Sequence, residues 1–201
     1  MTRPQPDWIV AAIGGKPTNG KLAIEELGEE KTYGRAGFSL SSPAFGNGDL
    51  LDPSFTAGEE DAVAPPLEWT APPPTAQELV IIVEDGDGPA DKDGNAQCHW
   101  LVWGLPGQKG MMLEGETPPR VGKNAKGNSE WLLPDPPEDD SAHRYIFQIF
   151  AVDLPLVELP GANRAQVLQS IRNSVVASAL VVGKFAAVDN EDEGDWDDLD
   201  E

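Results

Sequence analysis

The sequence predicts a single, mostly β domain, and three observations carry that reading. The 201 residues include 19 prolines and 21 glycines, more than a helical bundle tolerates and well suited to strands joined by turns. Three segments have strand character, whereas only one long segment has helical period. The length suits one domain with a substantial core.

Residues 1–36 lack strong periodicity and are set apart as an N-terminal extension whose role the sequence leaves open. The pattern sharpens at 37–40, which read as a short strand, and 42–56 are rich in turn formers. Prolines around Leu67 and Trp69 and along 71–74 predict a rigid loop or edge segment pinned by an aromatic. Residues 78–84 form a continuous apolar run with β-branched Val80, Ile81, Ile82 and Val83, the profile of a central strand buried on both faces. Residues 97–105 alternate, which sets His99, Leu101 and Trp103 on one face and Cys98, Trp100 and Val102 on the other. Residues 143–152 place His143, Tyr145, Phe147 and Ile149 opposite Arg144, Ile146, Gln148 and Phe150.

Residues 109–137 read as a long, turn-rich loop of the kind that carries function, with 110–112 as loop packing. A helix begins at the capping residue Asn163, and Val167, Leu168, Ile171, Val175, Val176, Ala179 and Leu180 recur at helical spacing. Residues 181–185 suit a last strand. The tail 189–201 holds nine acids and no base, too little apolar surface to offset the entropy of ordering, so disorder is expected there. The body of the domain is thus 37–188.

Charge limits the partners. The net charge is −21, and the residues before the tail still carry −12. Such a surface repels phosphate backbones and anionic lipid faces, so neither nucleic acid nor stable membrane insertion is expected. An anionic ligand needs a local site that works against the global field. The single cysteine, Cys98, excludes an internal disulfide, and no apolar run reaches membrane-spanning length. Cytoplasmic residence is the expectation, and homodimerisation is compatible with the composition. Neither a glycine-rich phosphate loop nor a nucleophile elbow is present.

The only two histidines, His99 and His143, fall on different strands, and Glu84, Asp85 and Asp87 end another. In one sheet these segments would deliver carboxylates, two imidazoles and the Tyr145 phenol to one rim. Such a group could receive an anion, hold a metal, or act as general acid and base. A histidine in a strand is also commonly a satisfied structural residue, and the acidic segment alone reads as a turn. The tryptophans 69, 100, 103 and 131 suit core or pocket wall.

Three blocks narrow the choice. Leu79-Val-Ile-Ile-Val-Glu-Asp85-Gly-Asp87-Gly-Pro89 resembles the signature of the phosphatidylethanolamine-binding protein family, a hydrophobic strand ending in D-P-D-A-P. Cys98-His99-Trp100-Leu101-Val102, followed by Leu105-Pro106, resembles its H-W-x-V segment. Pro136-Pro137 followed by His143-Arg144-Tyr145-Ile146-Phe147 resembles its P-P-x-G-x-H-R-Y-x-F block. The blocks occur in the family's order over about residues 38–186, and they are most similar to its bacterial Raf-kinase-inhibitor-like branch.

The resemblance implies a β-sandwich-like core of antiparallel strands with a few peripheral helices, one near the C-terminus. It implies no cofactor and no metal. It assigns Asp85, Asp87, Pro89, His99, His143 and Tyr145 to a small pocket for phosphate-like or carboxylate groups. The implied function is a ligand-binding or regulatory module with a small anionic ligand and a protein partner, of the kinase- or protease-inhibitor kind. The alternative is a hydrolase with His99 and His143 as general acid and base. Two departures matter. Gly86 and Gly88 replace a proline and an alanine, which is expected to loosen the turn. The insertion 138–141 adds three acids beside the pocket and is expected to weaken anion binding.

Overall fold

The computed structural model describes residues 4–138 and 141–187. The insertion's residues 139–140 and the acidic tail therefore lie outside the described residues. Among the described residues eight strands form two antiparallel sheets, with the helices applied to one face. β1 is Leu40–Ser41, β2 Leu67–Trp69, β3 Glu78–Asp85 and β4 Gln97–Pro106. β5 is Gly110–Met112, β6 Arg120–Val121, β7 His143–Val152 and β8 Val175–Phe185. The larger sheet has the order β6-β4-β3-β7-β8, and the smaller β1-β2-β5.

β3 lies between β4 and β7 with all eight residues buried, as its unbroken apolar run requires. Its odd residues Leu79, Ile81 and Val83 join Tyr145, Phe147 and Ile149 of β7 against Leu40, Leu67, Trp69 and Met112 of the small sheet. That interface is the sandwich core. The even residues Val80 and Ile82 join Ile146 and Phe150 beneath the helices α1 (Asp7–Ala12), α2 (Ala23–Leu27) and α3 (Arg164–Ile171).

Residues 4–36 supply much of that helical layer: Ile9, Ile13, Leu22, Ile24 and Leu27 are buried in it. A polar network seats them. Glu84, fully buried, accepts from the Ala23 amide (2.7 Å), Gln148 Nε2 (2.8 Å) and Arg164 Nε. Arg164 also pairs with Glu26 of α2. A buried carboxylate is tolerated only when it is satisfied in this way.

Four local expectations change. Residues 37–40 are not a strand throughout: 35–37 form a 3-10 turn with Ala36 at φ 57°, and β1 begins at Leu40. Residues 67–69 are not an edge but the centre of the small sheet, because 110–112 supply a third strand in place of loop packing. The helix α3 stops at Ile171, and Val175, Val176, Ala179 and Leu180 belong to β8. The β-branched pair at 175–176 and Val181–Val182 favour extended backbone, and β8 gains a ten-pair register along β7.

The fourth change concerns His99. The β3–β4 register slips between Val83 and Glu84, which pair with Trp100 and Cys98 respectively. His99 is the extra residue of this bulge. It turns to the Trp100 side, toward Tyr145 and Trp131, and away from Leu101 and Trp103.

Candidate functional site

The bulge and the pleat together bring four polar side chains to one end of the sandwich core. Asp85, the last residue of β3, pairs in register with Tyr145 on β7. Asp85 Oδ2 accepts from His143 Nδ1 at 2.9 Å, and Oδ1 accepts from the amides of Asp87 (2.9 Å) and Gly88 (2.8 Å). One carboxylate thus orients an imidazole and shapes the following turn. His99 meets Tyr145 edge to face, with ring centroids 5.1 Å apart.

The tautomers follow from the acceptors. His99 Nδ1 lies 2.7 Å from the carbonyl oxygen of Leu132, which only accepts, so Nδ1 carries the proton. The same reasoning makes Nδ1 of His143 a donor to Asp85. On each ring, Nε2 becomes a donor only when the imidazole is charged. Burial pulls the His99 pKa below the ordinary histidine value, only partly offset by the Leu132 carbonyl and by Asp85; the nearby His143 adds to the lowering.

Tyr145 completes the site. It is wholly buried, and its hydroxyl has no hydrogen-bond partner among the described residues. The amide of Asp135 lies nearby but does not meet hydrogen-bonding geometry. Burial, reinforced by Asp85, drives the phenol pKa upward, so the group is a neutral donor at any physiological pH. A buried hydroxyl without a partner costs free energy in the empty protein and invites an acceptor.

Two expected site residues take other positions. The Asp87 carboxylate turns to the helical face, where it accepts from the Arg144 amide (2.9 Å), Nε (2.8 Å) and Nη2 (2.7 Å). Burial alone would raise its pKa, but the hydrogen bonds and charge of Arg144 outweigh that and hold it below the usual carboxylate range. Arg144 also donates to the carbonyls of Ile13, Lys16 and Pro17, which anchors the N-terminal segment behind the site. Pro89 stands exposed at the end of the turn, with its carbonyl held by Gln97 Nε2.

The turn itself is not loose. The Gly86 amide donates to the Arg144 carbonyl, and the Asn19 amide and side chain donate to the carbonyls of Gly86 and Asp87. A Cβ on Gly86 would stand 2.9 Å from Thr18 Cγ2, so glycine here makes room for the N-terminal segment. At Gly88 a Cβ would stand 2.5 Å from Asp85 Oδ2, the oxygen that holds His143.

Sequence reasoning missed the backbone partner, the Leu132 carbonyl, because a carbonyl leaves no mark on residue identity. Trp131 does leave one. Its ring stacks on Phe147 and contacts Trp100 and His99, and it walls the site as a tryptophan in a functional loop suggests. Beyond it lies a cavity of about 650 Å³ bordered by Trp131, Leu132 and Leu133, and by none of the four clustered polar residues. Among the described residues no cluster of three or more His, Cys, Asp or Glu side chains could hold a metal ion, and no helix is long and apolar enough to cross a membrane.

Comparisons with known proteins agree with this architecture. The family model described as phosphatidylethanolamine-binding protein matches residues 41–186. A UPF0098 protein of Chlamydia muridarum is 31% identical over 148 residues, covering 73% of this chain and 97% of its own. LppC of Mycobacterium tuberculosis is 31% identical over 149 residues, covering 73% of this chain and 71% of its own. Among solved structures, CT736 of Chlamydia trachomatis, described as a homolog of phosphatidylethanolamine-binding protein, superposes with a TM-score of 0.69 at 29% identity. It covers 75% of this chain and 98% of its own. YbcL of Escherichia coli shares the fold, with a TM-score of 0.67 at 20% identity over 75% of this chain and 99% of its own. The chain belongs to the phosphatidylethanolamine-binding protein family.

Proposed function

We propose that the chain is a ligand-binding or regulatory module that captures a small phosphate- or carboxylate-bearing anion among Tyr145, His99 and His143. Family membership supports a binding module. The observation that carries the finer reading is the buried, unpartnered Tyr145 hydroxyl beside two imidazoles. An anion would accept from Tyr145 Oη and from the Nε2 atoms of the imidazoles once they are charged. Asp85 would not touch it. Its work is to hold His143 and to balance the positive charge that develops on binding. Asp87 contributes through Arg144, by fixing the turn from behind.

The assignment has a thermodynamic consequence. The Nδ1–H of His99 is already committed to Leu132, so engagement of the anion by that ring takes up a proton at Nε2. Affinity therefore rises as pH falls through the histidine range, and the depressed pKa of His99 places its share toward the acid side. Calorimetric titration with inorganic phosphate and with phosphoethanolamine tests the reading. Binding is expected in the native protein and is expected to be lost in His143→Ala; binding unaffected by that substitution overturns it.

A further inference from the structure

The polar site is shut. Tyr145 is wholly buried, and His99, His143 and Asp85 are 5%, 4% and 7% exposed. β3 and β7 are hydrogen-bonded on both sides and cannot part without breaking the sheet. Over its His99 side lies a short strap, residues 131–134. The Leu132 amide donates to the His99 carbonyl (2.9 Å), and the Leu132 carbonyl accepts from His99 Nδ1. Trp131 Nε1 donates to the Phe55 carbonyl (3.0 Å), and the Ala57 amide donates to the Pro134 carbonyl (2.9 Å). These bonds hold the strap, together with the Trp131 ring packed on Phe147, Trp100 and His99. The 650 Å³ cavity, bordered by Ala57, Val63 and Ala64 as well as by Trp131, Leu132 and Leu133, leaves room beside it.

We propose that residues 131–134 form a gate: the strap moves into the adjoining cavity to admit the anion to Tyr145 and then closes over it. Opening breaks the reciprocal His99–Leu132 pair and lifts the Trp131 ring from Phe147 and Trp100, and closure remakes both around the bound ligand. A segment held by a handful of hydrogen bonds and one aromatic anchor, with open space beside it, can open locally while the sheet stays intact. The inference rests on the anion-binding reading for its ligand, but the motion is measurable without one.

The test locks the strap. The double variant Ala57→Cys/Pro134→Cys places two thiols across the 57–134 hydrogen bond, and Cys98 stays out of exchange because it is buried. Association with inorganic phosphate is followed by tryptophan fluorescence in stopped flow. The oxidised variant is expected to associate at least about a hundredfold more slowly than the reduced variant; equal rates overturn the gate. If the wild type and the reduced variant both fail to bind phosphate, the anion reading fails, and amide exchange of the wild type still decides the motion. The Leu132 and Ala57 amides are expected to exchange at least about a hundredfold faster than those of Phe147 and Ile149. Equal protection of the strap and β7 overturns the gate whether or not the disulfide forms.

Discussion

Replacing Tyr145 by phenylalanine separates function from stability in opposite directions. In the empty protein the hydroxyl is buried without a partner, so its removal relieves a desolvation cost of about 1–3 kcal/mol. The ring and its packing on His99 remain. For a chain of this length each kcal/mol corresponds to roughly 2–4 °C, so Tyr145→Phe is expected to melt several degrees higher than the wild type. In the complex the same hydroxyl donates to a charged acceptor, worth about 1.5–3 kcal/mol, so phosphate affinity is expected to fall by about tenfold to about 150-fold. Differential scanning calorimetry and isothermal titration on the same preparations read both quantities. A variant that melts lower, or that binds phosphate as tightly as the wild type, refutes the reasoning. A purely structural tyrosine would lose stability and leave no binding to change.

Arg144→Ala leaves Asp87 without its partner and three carbonyls without a donor, and is expected to cost about 3–5 kcal/mol in urea denaturation; a loss below about 1 kcal/mol contradicts the buried pair. Gly86→Pro restores the residue of the family pattern, but removes the amide bond to the Arg144 carbonyl and crowds Thr18. Destabilisation of about 1–3 kcal/mol is expected, and an unchanged urea midpoint would show that the N-terminal segment does not depend on that glycine. The lowered pKa of His99 means that the unfolded chain binds more protons near and below pH 6.5. Its contribution to stability therefore falls as pH drops through that range, by up to about 1.4 kcal/mol per pH unit. His99→Gln is expected to flatten that slope in denaturation curves from pH 7 to pH 5, and an unchanged slope assigns the protons elsewhere.

The long strands were legible because burial on both faces writes an unbroken apolar run at β3 and keeps aromatic and β-branched residues on both faces of β7. Asn163 announced the start of α3 correctly, with its side chain capping the Gln166 amide. Its end was not legible, since Val175, Val176, Ala179 and Leu180 satisfy a helical period and a strand equally until β7 supplies a partner. The short strands at 67–69 and 110–112 are defined by each other, and neither carries enough residues to show a period alone.

At the site, the histidines, Asp85 and Tyr145 could be gathered from motifs, and the fold places them together. The facing of His99 could not, because a bulge inverts alternation without altering composition. The direction of Asp87 was hidden for a different reason. Alternation sets Arg144 opposite His143 and Tyr145, but nothing in the sequence says that it draws Asp87 with it, or that Ile13, Lys16 and Pro17 complete its cage.

The central claim is that an anion completes the hydrogen bonding of Tyr145 between the two histidines. A crystal structure at saturating phosphate and mildly acidic pH tests it most directly. The account predicts a phosphate oxygen within about 3 Å of Tyr145 Oη, with Nε2 of His99 and His143 turned toward the same ion and both Nδ1 bonds retained. A site in which Tyr145 Oη remains unpartnered, with phosphate absent or bound elsewhere, contradicts it.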